Sequence, residues 1–475
     1  MALVGLRIGA TLALYAAAAW GGVDRLVLWS PFSSGRAYVR ELRAFSRLSR
    51  KDYVTEIDQG PDILAAGYVL PGAIAQELEG LNLNALSSRP ALHVLLVDRD
   101  DRSPDPAVGE RLASLGSSVV RVRPAGTAEM LERPAASKTP DAALDAIADW
   151  LGDWPLPPRQ GAVAESTADR HDVAQDSDHL ERAVRFGPGG RLFGILTVPK
   201  AAGSTGAAVI FLNTGFEYRV GPHRHYVPLA RELAAQGHVV LRYDLGGVGD
   251  SLAPPGAPDN VAYPAHAMED AREAIAFIRS QAPGRRLIVA GLCSGGWHAF
   301  RLAREGAAVD AVVCVNAPLY LRDGLWRMTR RSLEYREMLG YRRMLRDRDR
   351  WANALRGRSE YIYFARFAAI YLARKMWDRI GPLFATRLVD GLARDLDGVC
   401  ARGITSLFVF SGGDTGLDYF EHHATPALRR WKACGRIHRV VVDGAGHSFT
   451  PPEAQHALRE LLVDFVAKQT APDPA

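Results

Sequence analysis

The chain has 475 residues, enough for two or three domains at about 150 residues each. Hydrophobic residues make up 48% and charged residues 23%, which excludes a disordered or low-complexity chain, and no uninterrupted apolar run reaches the roughly 18 residues of a membrane span. The net charge of +5 is uneven: Leu321 to Ile380 holds 16 Lys/Arg against 7 Asp/Glu, the remainder is net acidic, and no nucleic-acid-binding motif accompanies the basic stretch.

The first residues, MALVGLRIGATLALYAAAAW, have the basic start, apolar middle and small-residue end of a signal peptide. They also read as a strand, a turn at Gly5-Leu6-Arg7 and a helix. The segments ALHVLLVD and SSVVRVR follow as buried strands, and TPDAALDAIADWLGDW as a helix with Thr139 as N-cap and Pro140 in its first position. The polar stretch from Pro155 to His179, rich in Pro, Ala, Ser and Asp, lacks apolar periodicity and reads as a linker. Residues 1–154 and 180–475 are then the units on either side. In the second, RLFGILTV, AAVIFLN, HVVLRYD, RRLIVAG and DAVVCVN are predicted strands. HYVPLARELAAQG, AHAMEDAREAIAFIRSQ and WHAFRLAREG are the helices between them. Such alternation gives a parallel sheet covered on both faces, the α/β class.

The four cysteines, Cys293, Cys314, Cys400 and Cys434, form no dense framework. They are expected to be reduced thiols of a cytoplasmic protein, and no spacing among them suggests a metal. One is placed for chemistry. A buried strand ends at Gly291-Leu292-Cys293-Ser294-Gly295 and a helix follows, the spacing of a nucleophile elbow with Cys in the nucleophile's position. So tight a turn leaves no room for side chains two residues before and after the nucleophile. The helix N-terminus favours a thiolate and a developing oxyanion. A register shifted by one residue makes Ser294 the nucleophile and puts Leu292 where a glycine is wanted. The purely structural reading is a glycine-rich helix cap beside a buried thiol.

Partners for a nucleophile follow in the order acid, then base. ITSLFVFSGGD is a strand ending at Asp414, with Asp418 in the same loop as rival acid, and RVVVDGAGHSF leads to His447. A base must take the nucleophile's proton and a carboxylate must hold the imidazole in the right tautomer. In VIFLNTGFEY a strand ends at a turn from which the Phe216 N–H, with the Ser294 N–H, can form an oxyanion hole.

With these motifs, Leu180 to Ala475 resembles the α/β-hydrolase superfamily. YDLGGVGDS matches the family's D-x-x-G-x-G-x-S after its fourth strand, and Thr214-Gly215 stands where His-Gly is usual. Cys in place of Ser is similar to the dienelactone-hydrolase variant. YRVGPHRHYVPLAR and YRRMLRDRDRWANALRGR resemble, more narrowly, serine-aminopeptidase-like hydrolases associated with bacterial exopolysaccharide export and exosortase systems. The resemblance implies an α/β-hydrolase fold with a helical lid over about residues 319–403, and no cofactor or metal. The basic lid segment is either a surface that steers an anionic substrate or, more plainly, a solvated helical face.

The opening residues can now be set beside the elbow. Gly5-Leu6-Arg7-Ile8-Gly9 matches Gly291-Leu292-Cys293-Ser294-Gly295 at an offset of 286, and GGVDRLVLWSP then falls on AAVDAVVCVNA without a gap. HVLLVDRD parallels LFVFSGGD, with Asp100 on Asp414, and Thr127 falls on His447. LWSPFSSGRAYVRELRAF also resembles the exopolysaccharide-associated group. Residues 1–154 therefore read as a partial, degenerate hydrolase unit from the fifth strand onward. Arg7 stays protonated and is no nucleophile, so this unit is expected to be catalytically dead. Its first strand lacks the neighbour that a third strand would supply. Either another chain or domain covers that edge, or the reading frame begins upstream of Met1.

The function expected is hydrolysis of a small-molecule ester or thioester through a Cys293–His447–Asp414 triad and a covalent acyl-enzyme. The alternatives are an acyltransferase with the same triad and a non-catalytic interaction protein. No nucleic acid and no stable membrane insertion are expected.

Overall fold

The computed structural model describes residues 1–49, 61–65, 67–131, 137–152, 172–201, 206–319, 391–412, 414–424 and 434–470. The chain divides into two compact units, Met1–Asp169 and Arg170–Ala475.

In the amino-terminal unit the elements are β1 (Ala2–Leu6), α1 (Ile8–Trp20), β2 (Arg25–Trp29), α2 (Gly35–Ser49), β3 (Ile63–Ala65), β4 (Tyr68–Leu70), α3 (Gly72–Glu79), β5 (His93–Val97), α4 (Pro106–Ser114), β6 (Ser118–Val122), α5 (Thr127–Met130) and α6 (Asp141–Gly152). The parallel sheet has the order β1-β2-β5-β6. Alternation along its central strands sends Leu26, Leu28, Val94 and Leu96 against Ala10, Leu14 and Ala17 of α1. It sends Val27, Trp29, Leu95 and Val97 against Ala143 and Ile147 of α6. Helix α6 starts at Asp141, so Pro140 rather than Thr139 precedes its first residue. Leu14 and Ala17 of the opening stretch are core residues.

The carboxy-terminal unit contains β7 (Asp172–Gln175), β8 (His179–Phe186), β9 (Leu192–Pro199), β10 (Ala208–Leu212), α7 (Tyr226–Ala235), β11 (Val239–Tyr243), α8 (Ala267–Gln281), β12 (Leu287–Leu292), α9 (Ser294–Arg304), β13 (Ala311–Val315), α10 (Gly391–Ala401), β14 (Thr405–Ser411), α11 (Thr415–Ala424), β15 (Ile437–Val442) and α12 (Pro452–Thr470). Its nine strands among the described residues run in the order β15-β14-β13-β12-β10-β11-β9-β8-β7. Strands β10 to β15 are parallel, and β7, β8 and β9 add an antiparallel flank. Strands buried on both faces explain the continuous apolar runs. Val209, Phe211, Ile288, Ala290 and Val313 pack toward α7 and α12, and Ile210, Val289, Val312, Cys314 and Phe408 toward α8, α9 and α10.

Three expectations need correction. The segment read as a linker to His179 already contains β7, which pairs with β8. It is an edge strand with one paired side, so it lacks the apolar run that marks a central strand. The stretch read as a lid ends in α10, a core helix that buries Leu392, Ala393, Leu396 and Val399. The rest of that stretch, 320–390, lies outside the described residues. Finally, Cys400 and Cys434 are disulfide-bonded with Cα atoms 6.6 Å apart, so two of the four expected free thiols are paired. The sequence separation of 34 concealed that the end of α10 and the approach to β15 meet in space.

One turn recurs. Arg7 follows β1 with φ 55° and ψ −124°, and Cys293 follows β12 with φ 55° and ψ −115°. The Arg7 N–H donates to Trp29 O at 2.8 Å and the Cys293 N–H to Val315 O at 2.8 Å. The next strands end alike, with Ser30 and Asn316 both at positive φ. Their N–H groups donate to Val97 O and Val409 O, each at 2.8 Å.

Candidate active site

The geometry of the elbow begins with its glycines. A Cβ on Gly291 would lie 2.4 Å from the Gly295 carbonyl carbon, and one on Gly295 would lie 2.7 Å from Asn213 O. Strand, helix and the end of β10 are thus in backbone contact, and the chain between them is forced through the left-handed bend at Cys293. That conformation is costly for a residue with a Cβ and persists only where its surroundings impose it. It leaves Cys293 half-buried at the tip of the bend, directly before helix α9.

His447 lies in the loop after β15. Its Nδ1 is 2.5 Å from Asp414 Oδ2, and the Cys293 side chain is near enough to the ring to influence its protonation. Asp414 is buried beyond the end of β14, where its other oxygen accepts the Gly416 N–H at 2.7 Å. Half of the His447 side chain, 51%, is open to solvent, whereas 5% of the Asp414 side chain is. Desolvation disfavours the charged ring. The hydrogen bond to Asp414 and the nearby Cys293 side chain, with the charges of both, outweigh it, and the imidazole is pushed up to about 10. Asp418 sits one residue turn further on, within α11; the carboxylate on the imidazole is that of Asp414.

Ser294 is employed differently. Its side chain is buried, and its Oγ accepts the Gly215 N–H at 2.7 Å and donates to Asn213 O at 3.3 Å. It therefore ties the turn after β10 to the elbow. Because Ser294 takes the Gly215 donor, the Phe216 N–H is the next in line along that turn, which is closed by Glu217 N donating to Thr214 O at 2.9 Å. The Ser294 N–H belongs to the first turn of α9, where donors have no intrahelical partner. Thr214, in the place where His is usual, has its hydroxyl 3.2 Å from Tyr226 Oη. The Leu292 N–H donates to the same oxygen at 3.2 Å. Burial, with smaller influences from its neighbours, pushes the Tyr226 phenol up to about 12.

Several residues of the site were not singled out in the sequence. Asn316, at the end of β13, donates to His447 O at 2.7 Å and to Ser411 Oγ at 3.2 Å, and accepts the Ser411 N–H at 2.8 Å. One buried amide thus joins the ends of three loops; the only sequence signal was a polar residue closing an apolar run. Arg219 donates from its backbone and side chain to Asp244, and its side chain reaches Asp250 at 2.6 Å. That clasp fixes the turn after β10 to the loop after β11, where YDLGGVGDS lies. The Asp244 carboxyl is raised by burial, against the lowering influence of Arg219.

The matching turn of the amino-terminal unit has other chemistry. The Arg7 guanidinium lies over the Phe32 ring at 4.3 Å and pairs with Glu41. Thr127 is buried, accepts from Trp29 Nε1 at 3.2 Å, and is flanked by Gly126 and Ala128, whose N–H groups both donate to Asp100. Strand registers pair Arg25 with His93 and Ala311 with Thr405. Asp100 and Asp414 are therefore reached by loops that differ by two residues, so the ungapped match of the two acids needs that adjustment.

A parallel α/β sheet with an antiparallel flank, an elbow after its sixth strand in chain order and a His loop after its last define the α/β-hydrolase fold. The profile of the alpha/beta hydrolase family matches residues 209–461, more than half of the chain, and the chain belongs to that family. It is an α/β-fold hydrolase. No curated protein sequence matches it. Among solved structures, an esterase of Pyrococcus furiosus is similar at 14% identity, over 61% of this chain and 92% of that one, with a TM-score of 0.36. A hypothetical protein of Pseudomonas aeruginosa is similar at 19% identity, over 62% and 95%, with a TM-score of 0.38. A dienelactone hydrolase of Anabaena variabilis is similar at 16% identity, over 61% and 98%, with a TM-score of 0.35.

Proposed function

We propose that the carboxy-terminal unit cleaves a small-molecule ester or thioester with Cys293 as nucleophile, His447 as base and then acid, Asp414 as the group orienting His447, and the Phe216 and Ser294 N–H groups as oxyanion donors. The observation that carries this reading is the His447–Asp414 hydrogen bond beside a left-handed elbow whose Cys293 side chain lies near enough to the imidazole to raise its pKa. In this mechanism the thiol proton passes to the imidazole and the thiolate sulfur attacks the acyl carbon. The oxyanion collapses, the C–O or C–S bond breaks, and the leaving group takes the proton from His447. Water, deprotonated by His447, then attacks the thioester of the acyl-enzyme and Cys293 leaves as thiolate.

The test separates two neighbours in the chain. Cys293→Ala should abolish turnover of a short-chain p-nitrophenyl ester, while Ser294→Ala should keep the acyl-enzyme chemistry and lose rate only through a looser turn. The reverse outcome moves the nucleophile to Ser294.

We read the amino-terminal unit as an internal repeat: the second half of a hydrolase that has lost its chemistry, with Arg7 at the elbow and Thr127 in place of the base. The shared turn geometry and the shared backbone bonds support this. The motif likeness makes bacterial exopolysaccharide synthesis or export the setting we propose, to be tested by screening acyl thioesters against acylated glycans. No helix among the described residues is long and apolar enough to cross a membrane. Sparse cysteines support a cytoplasmic location, and the Cys400–Cys434 bond is the observation that weighs against it.

A further inference from the structure

Tyr226 Oη spans the same gap as Ser294 Oγ, between the turn after β10 and the elbow. It lies 3.2 Å from Thr214 Oγ1 on the turn and accepts the Leu292 N–H at 3.2 Å on the elbow side. Thr214 stands two residues ahead of Phe216, and Leu292 two residues ahead of Ser294. The phenol therefore joins the two backbone segments that carry the oxyanion donors, at the same remove from each.

The sheet explains why a side chain is needed there. β10 and β12 stop pairing at Leu212 opposite Gly291. The Cys293 N–H turns to β13, where it donates to Val315 O, so alternation turns the Leu292 N–H toward β10. Beyond Leu212 that strand bends away into the turn, and its next carbonyl, Asn213 O, accepts from Ser294 Oγ. Leu292 is buried, and a buried amide without an acceptor is costly. The Tyr226 hydroxyl supplies the acceptor. Its ring is locked in place: it stacks on Phe211 of β10, with centroids 4.8 Å apart and planes at 22°, and a Cβ on Gly221 would lie 2.6 Å from it. Burial keeps the phenol protonated up to about 12, so the bridge persists across the pH range of ester hydrolysis.

We propose that Tyr226 is a positioning residue for acyl transfer: its hydroxyl, through Thr214 and Leu292, sets the spacing between the Phe216 and Ser294 N–H groups and so the fit of the oxyanion. The inference rests on the reading of Cys293 as nucleophile and of those two amides as oxyanion donors. Tyr226 acts through its two partners and is not itself a catalytic residue. The Thr214 hydroxyl is what gives the phenol its hold on the turn.

The test compares a reaction that develops an oxyanion with one that does not. Hydrolysis of p-nitrophenyl acetate needs the oxyanion donors. Alkylation of Cys293 by iodoacetamide is a direct displacement that needs only the thiolate. Cys314 is buried and Cys400 is bonded to Cys434, so Cys293 is the cysteine open to the reagent. Tyr226→Phe keeps the ring and removes the bridge. Its kcat and kcat/KM for the ester should fall together by roughly ten- to hundredfold, while the rate of alkylation and its pH profile stay those of the wild type. Thr214→Val should lose activity in the same way, and Thr214→Ser should recover most of that loss. The double variant Tyr226→Phe, Thr214→Val should lose no more than Tyr226→Phe alone, because both changes break one link. Wild-type turnover in Tyr226→Phe, alkylation slowed in step with ester hydrolysis, or losses that multiply in the double variant each overturn the proposal. If Tyr226→Phe does not fold, Thr214→Val decides, and full turnover there overturns it. The underlying reading fails separately. Ester hydrolysis by alkylated wild-type protein rejects Cys293 as nucleophile, and full turnover in Phe216→Pro, which deletes a donor outright, rejects the oxyanion donors themselves.

Discussion

At the residue scale, the protonation of His447 is the quantity most open to measurement. Its proton is held to about 10 by Asp414 and Cys293 against the desolvation of the ring. Alkyl esters, whose leaving group needs that proton, should lose acylation rate as pH rises through this value, while p-nitrophenyl esters should not. Asp414→Asn removes one of the two raising partners. The alkaline limb for alkyl esters should move down toward the ordinary imidazole value of about 6.5, and kcat should fall by as much as about 10⁴-fold through the wrong tautomer. The sign for stability follows from the raised value. The contribution is fully present below the unfolded imidazole's pKa of about 6.5 and is lost as pH climbs through about 10. Cys293, Asp414 and His447 were legible because an elbow imposes glycines at fixed spacing and because acid and base follow in a set order. Asn316 and Tyr226 were not. Each acts through a partner distant in sequence, such as His447 O or the Leu292 N–H, and no local spacing records such a contact.

At the element scale, strands buried on both faces wrote themselves as apolar runs, and β10 to β14 could be read directly. Two elements without such a run were misread: β7 passed for a linker and α10 for part of a lid. The Cys400–Cys434 bond ties the end of α10 to the approach to β15. By the chain-entropy argument, a loop of 34 residues stabilises by about 3–4 kcal/mol. Reduction with dithiothreitol should therefore lower the melting temperature of the carboxy-terminal unit by roughly 6–16 °C, measured by calorimetry against the Cys400→Ala, Cys434→Ala chain, which should show no further change.

At the scale of the whole molecule, all the proposed chemistry belongs to one unit. Arg7→Ala should leave ester turnover unchanged in kcat and KM, because Arg7 interacts with Glu41 and Phe32 of its own unit. A loss of activity would give the amino-terminal unit a part in catalysis. The division into two units was visible in the sequence because the same chain geometry, repeated 286 residues apart, left matching glycines. The left-handed bend is present at Arg7 as at Cys293, though only the latter adjoins an imidazole. The same backbone corner thus occurs once with an imidazole beside it and once with an arginine at its tip. Anyone counting active centres by the contour of the main chain would find two here, and only the atoms beyond Cβ tell the two corners apart.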